Sequence, residues 1–256
     1  MIAVALRRGA LLVLVACLSA RAQDSVDVDS SRTHALAIDS ARVFPYRHVY
    51  DMRVTTGDSA VSIGQRVVTL TSATYNGETA WLLTETRTGI VPSSDSLFLS
   101  RTLRPLHWSA VAGLAHFGAE FVGDSIYGAT TGPQGRQNIA MSAPVALVAS
   151  GAMMEALLAA SPLASEYRDS VSVLDVTLAS SAAYPGELAV VGEEDVAIPD
   201  TPHACWVVAL REGAQQALYW VDKATGTTLR MQEALPSHVG SRLDYFLVPD
   251  TSAVAP

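Results

Sequence analysis

Between Pro144 and Ala160 the chain carries seven large apolar side chains, Val145, Leu147, Val148, Met153, Met154, Leu157 and Leu158, with Glu155 the only charge among them. Wound as a helix they point to every side, and a helix that is apolar all round must be buried. Leaving them in water would forfeit roughly 1.5–3 kcal/mol each, a sum comparable to the stability of a whole domain. A bilayer is the other place to hide such a segment. At ~1.5 Å per residue it would reach only ~25 Å, short of the ~30 Å hydrocarbon core, and Glu155 lies inside it. The remaining chain must therefore enclose this helix, and no transmembrane span is expected in the mature chain.

What surrounds it reads as strands. From Val43 onward, runs rich in β-branched and aromatic residues follow one another, separated by Gly, Pro, Asn and Asp. Tyr46 to Thr56 alternates apolar and polar residues, and Gly64–Tyr75 and Thr79–Thr88 flank Asn76-Gly77, the strongest short hairpin signal. Further strands are predicted at 95–101, 105–112, 116–122, 125–130, 137–142, 170–180, 186–191, 203–211, 217–222, 227–233 and 241–248. If Arg211 opposes Ala217, then Trp206, Val208, Leu210, Leu218 and Trp220 share one face, with Leu229 and Met231 close by. The expected fold is mainly β: a curled antiparallel sheet, or half-barrel, wrapped around one buried apolar helix. Residues 43–248 form a single β-rich domain, 23–42 an acidic, flexible lead-in of which 35–38 can dock locally, and 249–256 a disordered tail.

The N-terminus predicts export. Arg7 and Arg8 precede a short apolar run, Gly9 to Cys17, and Ala20-Arg21-Ala22 fits a small-x-small cleavage site. Residues 1–22 then form a signal peptide, and the mature protein begins at Gln23 in the periplasm or outside the cell. Leu14-Val15-Ala16-Cys17 also fits a lipobox, which would make Cys17 an acylated first residue and the chain an outer-membrane lipoprotein. Leu18 after the cysteine and the downstream Ala-Arg-Ala favour the first reading. Either way the mature chain cannot form an intrachain disulfide from Cys205 within the domain.

Charge excludes one class of partner. Without Arg7, Arg8 and Arg21 the chain keeps 14 basic against 25 acidic side chains, a net charge of −11. Nucleic-acid binders need the opposite sign to neutralise phosphates.

Several segments together resemble the bacterial periplasmic domain of unknown function family 3108. They are Val49-Tyr50-Asp51-Met52-Arg53-Val54, Leu99 to Leu106, the helix with its Ser161-Pro162-Leu163 exit, and Tyr219-Trp220-Val221-Asp222-Lys223. The resemblance spans most of residues 44–247. It implies a curled half-barrel, similar in outline to the lipoprotein carrier LolA and its receptor LolB, which hold acyl chains between sheet and helix. It implies no catalytic residue. The alanine-rich helix and an acidic loop at Glu193 to Asp195 depart from the family pattern.

No strong catalytic or metal motif stands out. Gly57-Asp58-Ser59 and Gly123-Asp124-Ser125 match the opening of one esterase class, but they sit between strands, where Gly-Asp and Asp-Ser are turn residues. The six histidines show no metal-ligand spacing; Asp195, Asp200 and His203 can approach one another around Pro199 and Pro202 but read as a solvated acidic loop rather than a metal site, and Cys205, mid-strand beside Trp206, reads as buried and inert. Neither a metal nor a cofactor is expected. The leading expectation is a non-enzymatic envelope protein binding an apolar ligand, such as a lipid or acyl chain, against Met153, Met154, Leu157, Trp206 and Trp220. The alternatives are an assembly factor that contacts an envelope protein partner through an exposed sheet edge, and an exported hydrolase using Ser59 or Ser125.

Overall fold

A computed structural model describes residues 36–90, 92–142, 146–176, 181–213, 215–235 and 240–249. The expected signal peptide with Cys17, Pro144 and the tail beyond Pro249 lie outside them.

The described residues form fifteen strands in two meanders. The first comprises β1 (Tyr46–Thr56), β2 (Ser59–Tyr75), β3 (Glu78–Arg87), β4 (Ser93–Leu99), β5 (Pro105–Ala112), β6 (Ala115–Val122), β7 (Ser125–Gly132) and β8 (Gly135–Ser142). The second comprises β9 (Leu147–Val148), β10 (Arg168–Val176), β11 (Ser181–Ile198), β12 (Thr201–Glu212), β13 (Gln215–Asp222), β14 (Thr228–Ala234) and β15 (Ser241–Val248). Among the described residues one α-helix, α1 (Gly151–Ala160), lies between β9 and β10. The meanders join where β1 pairs with β15, giving one curled sheet that runs from β8 at one end to β9 at the other and does not close.

Local chemistry explains the turns. Asn76 and Gly77 both take positive φ, 50° and 84°, as a two-residue turn matched to the twist of a hairpin requires. Gly64 and Gly89 serve a different need. The backbone of each passes so near the other's segment that a Cβ would lie 2.0 Å from Thr88 O or Ile63 O respectively, and only glycine permits that approach.

Alternation along the strands sends one set of side chains into the main core. Tyr50 and Met52 of β1, Val68 and Leu70 of β2, and Leu83 of β3 join Met153, Met154, Leu157 and Leu158 of α1 in one cluster. The helix packs against β3, β9 and β14. At its far end Asp39 N donates to Ala160 O (2.9 Å) and Arg42 Nη1 to Ser161 O (2.9 Å), so the segment before β1 is docked there. Leu36 and Ile38 pack on the same core.

Three expectations need correction. The helix begins at Gly151 rather than Pro144. Ser150 caps it, its side chain accepting from Met153 N (3.3 Å), while Leu147–Val148 pairs in parallel with Ser172–Val173 as a short strand. A short buried strand and a buried helix share the same apolar composition, so periodicity alone does not separate them. The acidic loop at Glu193–Asp195 is instead part of β11. A register shift between Val190 and Gly192 lets these acids pair with Trp206, Cys205 and Ala204, and Glu194 accepts from Trp220 Nε1 (2.7 Å).

The third correction concerns register. Leu210, not Arg211, opposes Ala217. A slip of one residue exchanges the faces of a strand. Trp206, Val208, Leu210, Tyr219 and Val221 therefore belong with the main core, whereas Trp220 joins Val196, Cys205, Val207 and Leu229 in a second cluster on the opposite face. Leu229 parts company with Met231 because the register also shifts between Trp220 and Val221.

Candidate functional site

The helix brings one charge into the core. Glu155 is 3% exposed, and Arg66, projected inward from β2, is 1% exposed. An isolated buried charge would cost several kcal/mol, so its partners matter. The Glu155 carboxylate accepts from Arg66 Nη1 and from the Tyr50 hydroxyl (2.6 Å), with His48 Nδ1 at 3.9 Å. Arg66 Nη2 reaches Glu85 on β3 (2.9 Å), and Glu85 is also paired with Arg87. Helix and sheet are thus tied by a buried chain of alternating charge.

Electrostatics follow the geometry. Burial alone would raise the Glu155 pKa, but Arg66, Tyr50 and His48 hold it below the ordinary value. Glu85 is likewise pushed up by burial and pulled further down by Arg66 and Arg87, to about 2. Asp95 stands opposite Glu85 on β4. Burial first, and then the neighbouring Glu85 charge, push its carboxyl up to about 6. Tyr46 stacks on His48 with ring centroids 4.3 Å apart, and its hydroxyl is buried without a hydrogen-bond partner among the described residues.

Beside the N-terminal turn of α1 the core opens. A cleft of about 250 Å³ lies between the helix and strands β10, β12, β13 and β14. Its buried wall is Val148, Met154, Leu174, Leu210 and Tyr219. Ser150, Gly151, Glu212, Gln215, Gln216 and Glu233 provide polar groups along the more exposed lining. A larger concavity, about 550 Å³, lies over β6 and β7 and is lined by His107, His116, Glu120 and Tyr127 among others. There His107 Nδ1 lies 2.7 Å from Glu120, whose other oxygen accepts from Tyr75 (2.6 Å).

The side chains singled out from sequence are distributed unevenly. Met153, Met154 and Leu157 are buried together on α1, but only Met154 lines the cleft. Trp206 packs at the margin of the main core, with Lys223 Nζ 3.9 Å from its ring centroid. Trp220 stands apart, on the other face. Sequence reading missed Arg66, Glu85 and Tyr50. The signal was there: a lone carboxylate on an otherwise apolar helix needs a buried cation, and Arg66 shares the inward parity of Val68 and Leu70 in β2.

Ser59 and Ser125 each open a strand after a hairpin turn, Thr56 pairing with Ser59 and Val122 with Ser125. The esterase arrangement requires a strand-to-helix turn instead. His203 Nδ1 lies 3.0 Å from Asp222, and Asp195 pairs with Ala204 rather than His203. Among the described residues no three potential ligands converge as a metal site. Burial raises the Cys205 thiol to about 11. No described helix is long and apolar enough to cross a membrane.

With this geometry in place, comparison with known proteins is informative. The family described as "Protein of unknown function (DUF3108)" matches residues 43–243. The chain belongs to this family. A β-barrel-like protein of DUF1849 from Brucella abortus is similar in structure, with 12% identity and a TM-score of 0.51 over 81% of this chain and 97% of that one. At that identity the likeness concerns the fold of this DUF3108 member alone. The hypothetical lipoprotein YmcC from Escherichia coli K12 matches at 15% identity and a TM-score of 0.35, over 80% of this chain and 88% of that one. That score carries no argument. No curated protein matches the chain.

Proposed function

We propose that this DUF3108 protein is an exported envelope protein that binds one short apolar chain in the cleft beside Met154. The observation that carries the reading is the cleft itself, with its buried wall of Val148, Met154, Leu174, Leu210 and Tyr219. Its volume of about 250 Å³ falls just under the ~300–1,000 Å³ usual for small-molecule sites. It suits part of an acyl chain better than a whole lipid. Met153 and Leu157 then act as core, holding the helix in place, rather than as ligand contacts. In this reading the curled sheet wraps the helix, supported by the burial of α1 and its bonds to β1 and β2. The protein binds rather than catalyses, a view supported by a cleft whose buried wall is mostly apolar.

The test is binding of an uncharged fluorescent apolar probe to the full exported protein. Ala217 lines the cleft, so Ala217→Trp should fill it and abolish binding without unfolding the protein. Binding that survives in a folded Ala217→Trp variant, or that never occurs, would count against the reading. Export is supported by Arg7, Arg8 and the Ala20-Arg21-Ala22 site and is tested by intact mass. A chain beginning at Gln23 is expected, an acylated Cys17 would identify a lipoprotein, and retention of residues 1–22 would refute processing.

A further inference from the structure

The cleft has a chemical bias that apolar area does not explain. Two carboxylates, Glu212 and Glu233, line it, and no lysine or arginine does. Glu233 lies opposite Ala217 on the neighbouring strand, close to the apolar wall. Its one described hydrogen bond is a long one, accepted from the Tyr245 hydroxyl at 3.4 Å.

Tyr219 adds an independent observation. It is 4% exposed and lines the same cleft. Its side chain brings a hydroxyl to that lining. Burial and the nearby Glu233 charge both push that hydroxyl well above its ordinary pKa, so it stays protonated. A ligand head placed here would meet a neutral hydroxyl and the Glu233 carboxylate.

One opposing field needs weighing. Ser150 and Gly151 put the start of α1 on the same cleft, and a helix N-terminus carries roughly half a positive charge, worth about 0.3–1 kcal/mol to an anion. The full negative charge of Glu233 outweighs it, Arg87, the cation that feels Glu233, is already paired with Glu85, and the Ser150 side chain already accepts one of the free N–H groups, that of Met153.

We propose that this cleft selects amphiphiles with an ammonium head group over carboxylate-headed chains of equal length. The inference rests on the cleft being the apolar binding site, and it names the ligand class that site takes. The apolar wall receives the chain. The ammonium donates to Glu233, and a neighbouring oxygen on the head, where present, accepts from Tyr219.

The experiment titrates the full exported protein at neutral pH with decylammonium, decanoate and decanol. Decylammonium should bind more tightly than decanoate by about tenfold or more, the size of one charge-assisted hydrogen bond, with decanol between them. Glu233→Gln should reduce decylammonium binding by about the same factor and leave decanol unchanged. Glu78→Gln, which removes an equal charge at the exposed Asn76-Gly77 hairpin, should change none of the three, separating local recognition from general attraction to an acidic protein. Decanoate binding as tightly as decylammonium would overturn the selectivity and leave the apolar site standing. An equal effect of Glu78→Gln would also overturn it. If none of the three binds, the apolar site itself fails. Comparison of the three probes on the unaltered protein holds whether or not the Glu233 variant folds.

Discussion

The guanidinium of Arg66, on β2, and the carboxylate of Glu155, on α1, meet inside the core with each side chain 2% exposed. Residues 89 positions apart in sequence are thereby locked together at a point where water cannot substitute for either. Such a pair adds little net stability compared with an apolar replacement, but removing one partner leaves an uncompensated buried charge.

Glu155→Leu should therefore destabilise the fold by about 3–5 kcal/mol. Arg66→Met should cost at least as much, because it strands Glu155 and leaves Glu85 with Arg87 as its one remaining cation. The double variant should recover part of the loss. Urea unfolding of the four proteins in a double-mutant cycle measures the coupling, and strict additivity would show that the pair is not coupled.

Asp95 predicts a pH effect of opposite sign to that of an ordinary paired carboxylate. Its folded pKa is raised from 3.8 to about 6, so the folded state holds the proton more tightly than the unfolded chain. The stability this contributes is complete below about pH 3.8 and is lost as pH rises through about 6. Asp95→Asn should be more stable than the parent at pH 7 by about 1–2 kcal/mol, allowing for partial exposure. The gap should narrow toward pH 4, as read by thermal melts across that range.

Leu157 and Leu114 make a paired test of burial. Leu157 is 2% exposed and Leu114 is 78% exposed. Leu157→Asp should cost several kcal/mol by placing an unpaired carboxylate in the core. Leu114→Asp should change stability by about 0.5 kcal/mol or less. Similar shifts in Tm for the two variants would contradict the placement of the helix.

The glycines separate strain from collision. Gly77→Ala meets open space and suffers only its positive φ, a penalty of about 1–2 kcal/mol. Gly64→Ala would also drive its Cβ to 2.0 Å from the Thr88 carbonyl, for a total of roughly 2–4 kcal/mol. Denaturant midpoints should rank the variants in that order.

Much of the sheet was legible in the residues. β1, β5 and β15 match the predicted segments residue for residue, because alternation and flanking turn residues agree there. Legibility failed where local pattern and long-range pairing diverge. Nothing in Glu193-Glu194-Asp195 favours a strand until Trp206, Cys205 and Ala204 come alongside as pairing partners. A one-residue error opposite Ala217 sufficed to place Trp220 on the wrong face. Met154 was readable as buried, but the cleft at its side depends on β10, β12, β13 and β14 converging there, which no local window contains.

The arrangement of the two meanders bears on how the chain finds its fold. Among the described strands every pairing joins neighbours in sequence except β1–β15, where Val49 sits opposite Val248. Hairpins close small loops and form early, whereas this junction closes nearly the whole domain and incurs the largest entropy loss. Until it forms, β1 and β15 are bare edges, each able to recruit a neighbouring molecule in place of its proper mate. The Tyr50 hydroxyl, on β1, lies 2.6 Å from the Glu155 carboxylate of the helix and 2.9 Å from the Thr228 carbonyl of the second meander, its one proton shared between them. One hydroxyl thus bridges both halves next to the junction, so assembly of the core and capture of the exposed edges are coupled events.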